Sequence, residues 1–142
     1  MIFIRLYYQS SEYFCYSINQ LMTFEDIIKQ IALEFIQAWN KQDYLVIKKL
    51  LHMDVTLISP TIQFVWPEKK EGIHGRDELL EYFRKLHDMI PGRTVNIKRG
   101  ELKKIEEHIH YLSQLDSSEK VQVIFKMDQY CKIISLEVSY LE

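Results

Sequence analysis

The side chains best suited to proton chemistry in this sequence are a few histidines and acids. His74 stands in the stretch Gly72-Ile73-His74-Gly75. A histidine that works as acid or base needs a carboxylate to fix its tautomer and its pKa. Asp54 and Glu71 are the conceivable partners, and plain loop structure is the alternative for His74. His108 and His110 lie two apart, so on a strand they share a face, which is one way to begin a zinc site. No third ligand follows nearby, so a solvated or core-edge pair is the simpler reading, and no metal or cofactor is assigned. Asp54 reads otherwise as a strand entry or a turn hydrogen bond. The catalytic candidates are therefore His74, Asp54 and His110. The two cysteines, Cys15 and Cys131, do not make a disulfide framework. Reduced thiols in a cytoplasmic protein are expected. Cys131 reads as an exposed hairpin thiol, because no histidine or helix start is evident to lower its pKa.

The elements that position these groups can be read from capping and periodicity. Thr23 is an N-cap with Asp26 three residues on, a variant of the capping box, and Met22 and Ile27 form a hydrophobic staple across it. Phe24, Ile27, Ile28, Ile31, Phe35, Ala38 and Trp39 follow the helical period. That helix ends near residues 40–42, and Asp43 caps a shorter one carrying Tyr44, Ile47, Leu50 and Leu51. Residues 55–59 are a strand that Pro60 ends, and residues 62–66, IQFVW, read as its neighbour. Gly75-Arg76-Asp77 opens a third helix with its apolar stripe at Leu79, Leu80, Phe83, Leu86 and Ile90, stopped by Pro91-Gly92. Residues 94–99 alternate as a strand. Residues 101–115 are ambiguous: Leu102, Ile105, Ile109 and Leu112 have helical spacing, alternation is tolerable, and the local pattern favours a helix. Residues 116–119 are a turn, residues 121–127 alternate as a strand, residues 128–132 connect a hairpin, and a last strand runs to Leu141.

The whole-chain totals bound the function. The chain has 142 residues, 47% of them hydrophobic and 27% charged, which suits one ordinary core. A formal net charge of −2 leaves no excess of Lys and Arg for a phosphate backbone, so no nucleic-acid partner is expected. No stretch reaches the ~18 apolar residues that span a bilayer, so no membrane partner is expected either. Nine Tyr and seven Phe fit a large core or an aromatic-lined pocket. Residues 1–22 carry only Arg5 and Glu12 as charges and make a poor signal peptide. One expectation is that translation begins at Met22. The alternative is an extension, residues 1–21, that adds a strand or covers a partner surface.

Three stretches in this order resemble the nuclear transport factor 2-like superfamily, in its SnoaL-like and ketosteroid-isomerase-like branch. They are FIQAWNKQDYLVIKKLLHMDVTLISP (35–60), GIHGRDELLEYFRKL (72–86) and FKMDQYCKIISLEVSYLE (125–142). The resemblance covers residues 22–142. It implies an α+β fold: a cone-shaped barrel in which three N-terminal helices pack on a curved, mostly antiparallel sheet of about six strands. It also places strands at 101–115, with a turn near Glu106-Glu107, against the local preference for helix.

The steroid isomerases of this branch use a carboxylate base with a Tyr and a protonated Asp as oxyanion donors. The resemblance puts the base at Ser59, the Tyr donor at Phe35, the Asp donor at Val123 and a supporting Tyr at Phe83. All four lack the required group, which makes steroid-isomerase chemistry at this constellation improbable. The pocket this implies is apolar, lined by Phe35, Trp39, Phe83, Val123, Phe125 and Leu136, with Ser59 as a minor polar contact. Trp66 caps it, or a subunit contact, or simply packs. The leading reading is a small-molecule binding protein for an apolar ligand, forming a homodimer through the open sheet face. The alternatives are a SnoaL-like cyclase, isomerase, dehydratase or hydrolase that uses other residues, and a protein-interaction module with a filled cone.

Overall fold

The computed structural model describes residues 23–92, 94–95, 100–115 and 118–141. The expectations for residues 1–22, and for most of the strand at 94–99, fall outside them. Helix α1 (Phe24–Lys41) begins as its sequence dictates. Thr23 Oγ1 accepts the Asp26 N–H at 3.1 Å and Asp26 Oδ2 accepts the Thr23 N–H at 3.4 Å, so two donors with no partner inside the helix are met by side chains. Gln42 ends the helix in the left-handed conformation at φ 55°. Asp43 Oδ1 then accepts from the Val46 N–H at 3.3 Å and caps α2 (Tyr44–Leu50).

Strand β1 (Leu51–Ile58) follows directly, so Leu51 opens the strand rather than closing the helix. Its pairing with the last strand shifts register between Leu51 and Thr56, a bulge that holds Asp54. Residues 62–66 are not a strand. They form the short helix α3 (Ile62–Val65) and lead into a 3-10 turn at Pro67–Lys69. The ladder stops at Pro60, and the Ser59 and Thr61 carbonyls take the N–H groups of Ile62 and Val65 instead, at 3.2 and 3.1 Å. The β-rich composition of IQFVW is overridden by this local hydrogen bonding. Strand β2 (Ile73–His74) is a short antiparallel edge on β1, and α4 (Arg76–Met89) follows.

The remaining strands are β3 (Glu101–Ile105), β4 (His108–Gln114), β5 (Lys120–Met127) and β6 (Ile133–Leu141). Residues 101–115 are thus a hairpin, turning through Glu106 at φ 56°. Alternation with long-range pairing wins there over helical spacing, because β4 is buried on one face against α1 and paired on both edges. Among the described residues the six strands form one open sheet in the order β2-β1-β6-β5-β4-β3. Every pairing is antiparallel except β1 with β6. This is the α+β cone: among the described residues four α-helices, the short α3 included, and a sheet whose concave side α1 and α4 cover.

Cross-strand registers define the two faces. Leu57, Leu136, Phe125 and Ile109 stand abreast on β1, β6, β5 and β4, and all four are buried. Ile58, Glu137, Ile124, His110 and Lys103 form a row on the opposite face. Val95 bridges Leu115 as an isolated pair. Asn40 holds it there: Nδ2 donates to the Val95 carbonyl and Oδ1 accepts the Val95 N–H, both at 2.8 Å. Cys131, expected as an exposed thiol, is 2% exposed and disulfide-bonded, while Cys15 lies outside the described residues. Among the described residues no helix is long and apolar enough to cross a membrane.

Candidate functional site

Between α1, α4 and the concave sheet face lies a cavity of about 70 Å³. Phe35 and Trp39 reach it from α1, Phe83 from α4, and Val123 and Leu136 from β5 and β6. Phe83 is the hub of the aromatic wall. Its ring lies edge-on to Phe35 at 6.0 Å and to Trp39 at 5.0 Å between centroids. Such edge contacts add to the burial of the rings themselves. Phe125 was expected in the lining but sits one layer back, fully buried and edge-on to Phe35 at 5.6 Å. Among the described residues no charged side chain lines the cavity.

One end of the cavity is polar, and sequence reasoning found only Ser59 of it. Ser59 Oγ is 2.9 Å from Thr61 Oγ1, and Thr61 Oγ1 is 2.5 Å from the Tyr82 hydroxyl. The Thr61 N–H also donates to Ser59 Oγ at 3.4 Å. All three residues line the cavity, with Ser59 7% and Tyr82 1% exposed. The helical turn after Pro60 aims Thr61 at α4, and Tyr82 sits one residue before Phe83 on the buried side of that helix. The signal available in the sequence was Ser59-Pro60-Thr61 at a strand end. Nothing local ties it to Tyr82.

The other candidates lie elsewhere. His74 is exposed and pairs with Thr56 in β1, on the convex face of the sheet. His108 and His110 share that convex face, as strand alternation requires, opposite Lys126 and Ile124. His110 Nδ1 is 3.3 Å from Gln122 Nε2. Asp54 is exposed in the bulge, where its N–H donates to His52 Nδ1 at 2.9 Å. His74, Asp54 and His110 therefore converge neither with one another nor with the cavity. Trp66 is outside the cavity too. After the helical turn of 62–65 it is half-buried, packed against the core, and Lys69 Nζ and Lys85 Nζ sit 5.1 and 5.3 Å from its ring. Among the described residues no group of three or more His, Cys, Asp or Glu is placed to hold a metal ion.

A further histidine is buried beside the aromatic wall. His87, on α4, is 4% exposed and stacks on Trp39 with centroids 4.1 Å apart. Its Nδ1 is 2.6 Å from the Tyr44 hydroxyl, and its Nε2 is buried without a hydrogen-bond partner among the described residues. Burial is the main cause that lowers its pKa, opposed by the Phe83 carbonyl and the Asp88 carboxylate. Burial likewise raises the pKa of the Tyr111 hydroxyl, with Ser113 acting the other way.

Solved structures share the fold of this chain. It matches a SnoaL-like protein of unknown function from Burkholderia thailandensis at TM-score 0.69 and 16% identity, over 80% of this chain and 94% of that one. It matches TerC, co-crystallised with polyporic acid, at TM-score 0.65 and 10% identity, over 80% and 91%. An NTF2-like protein of unknown function from Cytophaga hutchinsonii matches at TM-score 0.59 and 15% identity, over 80% and 89%. The chain has the cone fold of the nuclear transport factor 2-like superfamily, shared with SnoaL-like and ketosteroid-isomerase-like proteins. No family model matches the sequence, and no curated protein matches it.

Proposed function

We propose that this chain binds a compact, mostly apolar molecule in the cavity between α1, α4 and the concave sheet face. One observation carries the reading. Phe35, Phe83 and Val123 offer only C–H groups to the cavity wall, at the positions where the isomerase pattern needs hydroxyl or carboxyl donors. Removing a single oxyanion donor raises a barrier by roughly 3–4 kcal/mol, so enolate chemistry has little support from this wall. The same wall favours burial of apolar surface at about 25 cal/mol per Å². The volume limits the occupant, since drug-sized ligands take roughly 300–1,000 Å³. The test is native mass spectrometry of the intact chain purified from its source, beside Val123→Phe, which puts a ring into the space. A co-purifying small molecule that the variant loses while keeping its circular dichroism supports binding. Absence of any such mass, together with no uptake of xenon, refutes it.

A second reading is favoured by the small size of the cavity. The cone is then a nearly filled scaffold whose convex sheet face docks a second copy of the chain. Ile58, Ile105 and Leu112 lie on that face, 56%, 46% and 38% exposed. Sedimentation equilibrium distinguishes this. A dimer that Ile58→Lys dissociates supports it, and a monomer at all concentrations refutes it.

A further inference from the structure

We propose that Arg76 and Lys132 together hold a dianionic oxyanion, a phosphate group, beside the bulge of β1. Neither residue lines the cavity, so this site is independent of the binding reading above.

The fold brings two cations together here. Arg76 is the first residue of α4, fixed beside β1 by the Gly75 N–H, which donates to the Val55 carbonyl at 2.8 Å. Lys132 immediately precedes β6, whose Ile133 pairs with Leu51 at the other end of the bulge. The two residues thus approach the bulge from opposite edges of β1. Lys132 Nζ donates to the Lys49 carbonyl at 2.6 Å, which holds the ammonium against the end of α2. Both side chains belong to half-buried residues. Burial lowers the pKa of Lys132, the Arg76 guanidinium lowers it further, and the Asp128 carboxylate opposes them.

What the pair lacks is a counter-charge. Among the described residues neither Arg76 nor Lys132 enters an ion pair. Arg76 Nε is buried without a hydrogen-bond partner among them. Asp128 is engaged by its own hairpin. Its Oδ1 accepts the N–H groups of Tyr130 and Lys132 at 2.8 and 2.9 Å, and its Oδ2 faces His52 Nε2 at 3.8 Å. Asp54, in the bulge, is exposed. Two like charges drawn out of water repel each other and lose hydration, and an anion between them offsets both costs. An unpartnered buried donor beside them is accounted for by the same ion.

Charge and donor number select the anion. Two cations balance a dianion, whereas a carboxylate leaves one positive charge over. The guanidinium presents a planar fork of N–H donors, and Lys132 keeps two protons after its bond to Lys49. A tetrahedral phosphate has oxygens enough to accept from all of them.

Inorganic phosphate, glycerol phosphate and acetate are each titrated into the full chain at constant ionic strength and about pH 8, where a phosphate group is dianionic. Amide resonances are followed by NMR. Phosphate is expected to shift the amides of Arg76, Lys132 and Ile133 saturably and to bind more tightly than acetate. Arg76→Gln and Lys132→Gln should each weaken phosphate about tenfold or more, the worth of a hydrogen bond to a charged group. Lys103→Gln, exposed at the far edge of the sheet, should change it less than about twofold. Phosphate should raise the melting temperature of the wild type and not that of Arg76→Gln, which guards against loss of the Lys49 contact in the Lys132 variant. Tighter binding of glycerol phosphate than of phosphate supports the site with an esterified phosphate as its ligand, and equal binding supports it with the free ion. Shifts that do not saturate, acetate binding as tightly as phosphate, or equal losses in Arg76→Gln and Lys103→Gln overturn the proposal.

Discussion

Acidification should destabilise the fold through His87. Its imidazole is 4% exposed, stacked on Trp39 and joined through Nδ1 to the Tyr44 hydroxyl at 2.6 Å. Protonation requires Nε2 to hold a charged N–H where it has no hydrogen-bond partner among the described residues. Burial therefore holds the folded pKa below the ordinary value of 6.5, although the Phe83 carbonyl and the Asp88 carboxylate act the other way. The sign follows directly. Below pH 6.5 the unfolded chain binds a proton that the folded chain resists, so stability rises with pH across that range. The contribution is fully present above 6.5 and is lost as pH falls below it.

The magnitude has an upper bound. A group that titrates only in the unfolded chain contributes a slope approaching 1.36 kcal/mol per pH unit. Integrated from pH 6.5 to 5.5, the loss is about 1 kcal/mol. Urea unfolding at pH 7.5, 6.5 and 5.5 measures it, provided the denaturant slope stays constant. Comparison with His87→Gln, which can still meet the Tyr44 hydroxyl, removes every contribution the two proteins share. The wild type should lose more than the variant over that last unit, by at most about 1 kcal/mol. Parallel losses in the two proteins would mean that the folded His87 takes up a proton freely, and the packing argument would be wrong.

Two other perturbations probe the frame around the cavity. Asn40→Ala removes both 2.8 Å bonds to Val95 and leaves a buried N–H and carbonyl without partners; a loss of about 1–3 kcal/mol in urea unfolding is expected, and a change under about 0.5 kcal/mol refutes the pinning role. Gly100→Ala drives a methyl into the ring of Tyr111, which is 1% exposed and has no room to retreat; the melting temperature should fall by several degrees, as roughly 1–3 kcal/mol of overpacking implies, and an unchanged melt refutes the contact.

The parts of the fold legible in the sequence were those whose cause is local. The capping box at Thr23 and Asp26, the apolar stripes of α1 and α4 and the alternation of β5 each carry their own signal. The failures had non-local causes. Residues 62–66 have strand composition, yet two carbonyls just before them decide for a helix. Residues 101–115 have helical spacing, yet β4 gains partners on both edges only as a strand. Resemblance to a known cone fold supplied that answer, because it carries tertiary information that a fifteen-residue window lacks.

The cavity was legible to the same extent, and for the same reason. Phe35, Phe83 and Val123 were carried over from the family resemblance, and one pocket gathers them because helix stripes and strand alternation fix which way each side chain points. Alternation also turned His74 and His110 away. Both occupy convex-face positions of the sheet, so no side-chain rotamer brings either imidazole to the concave side. The hydroxyl series escaped because it joins a strand end to a helix twenty-one residues later through Thr61, whose direction depends on the turn after Pro60. A polar site built from such a turn has no periodicity to betray it. It had to be found as a chain of hydrogen bonds, and it is where this cavity differs most from a plain apolar void.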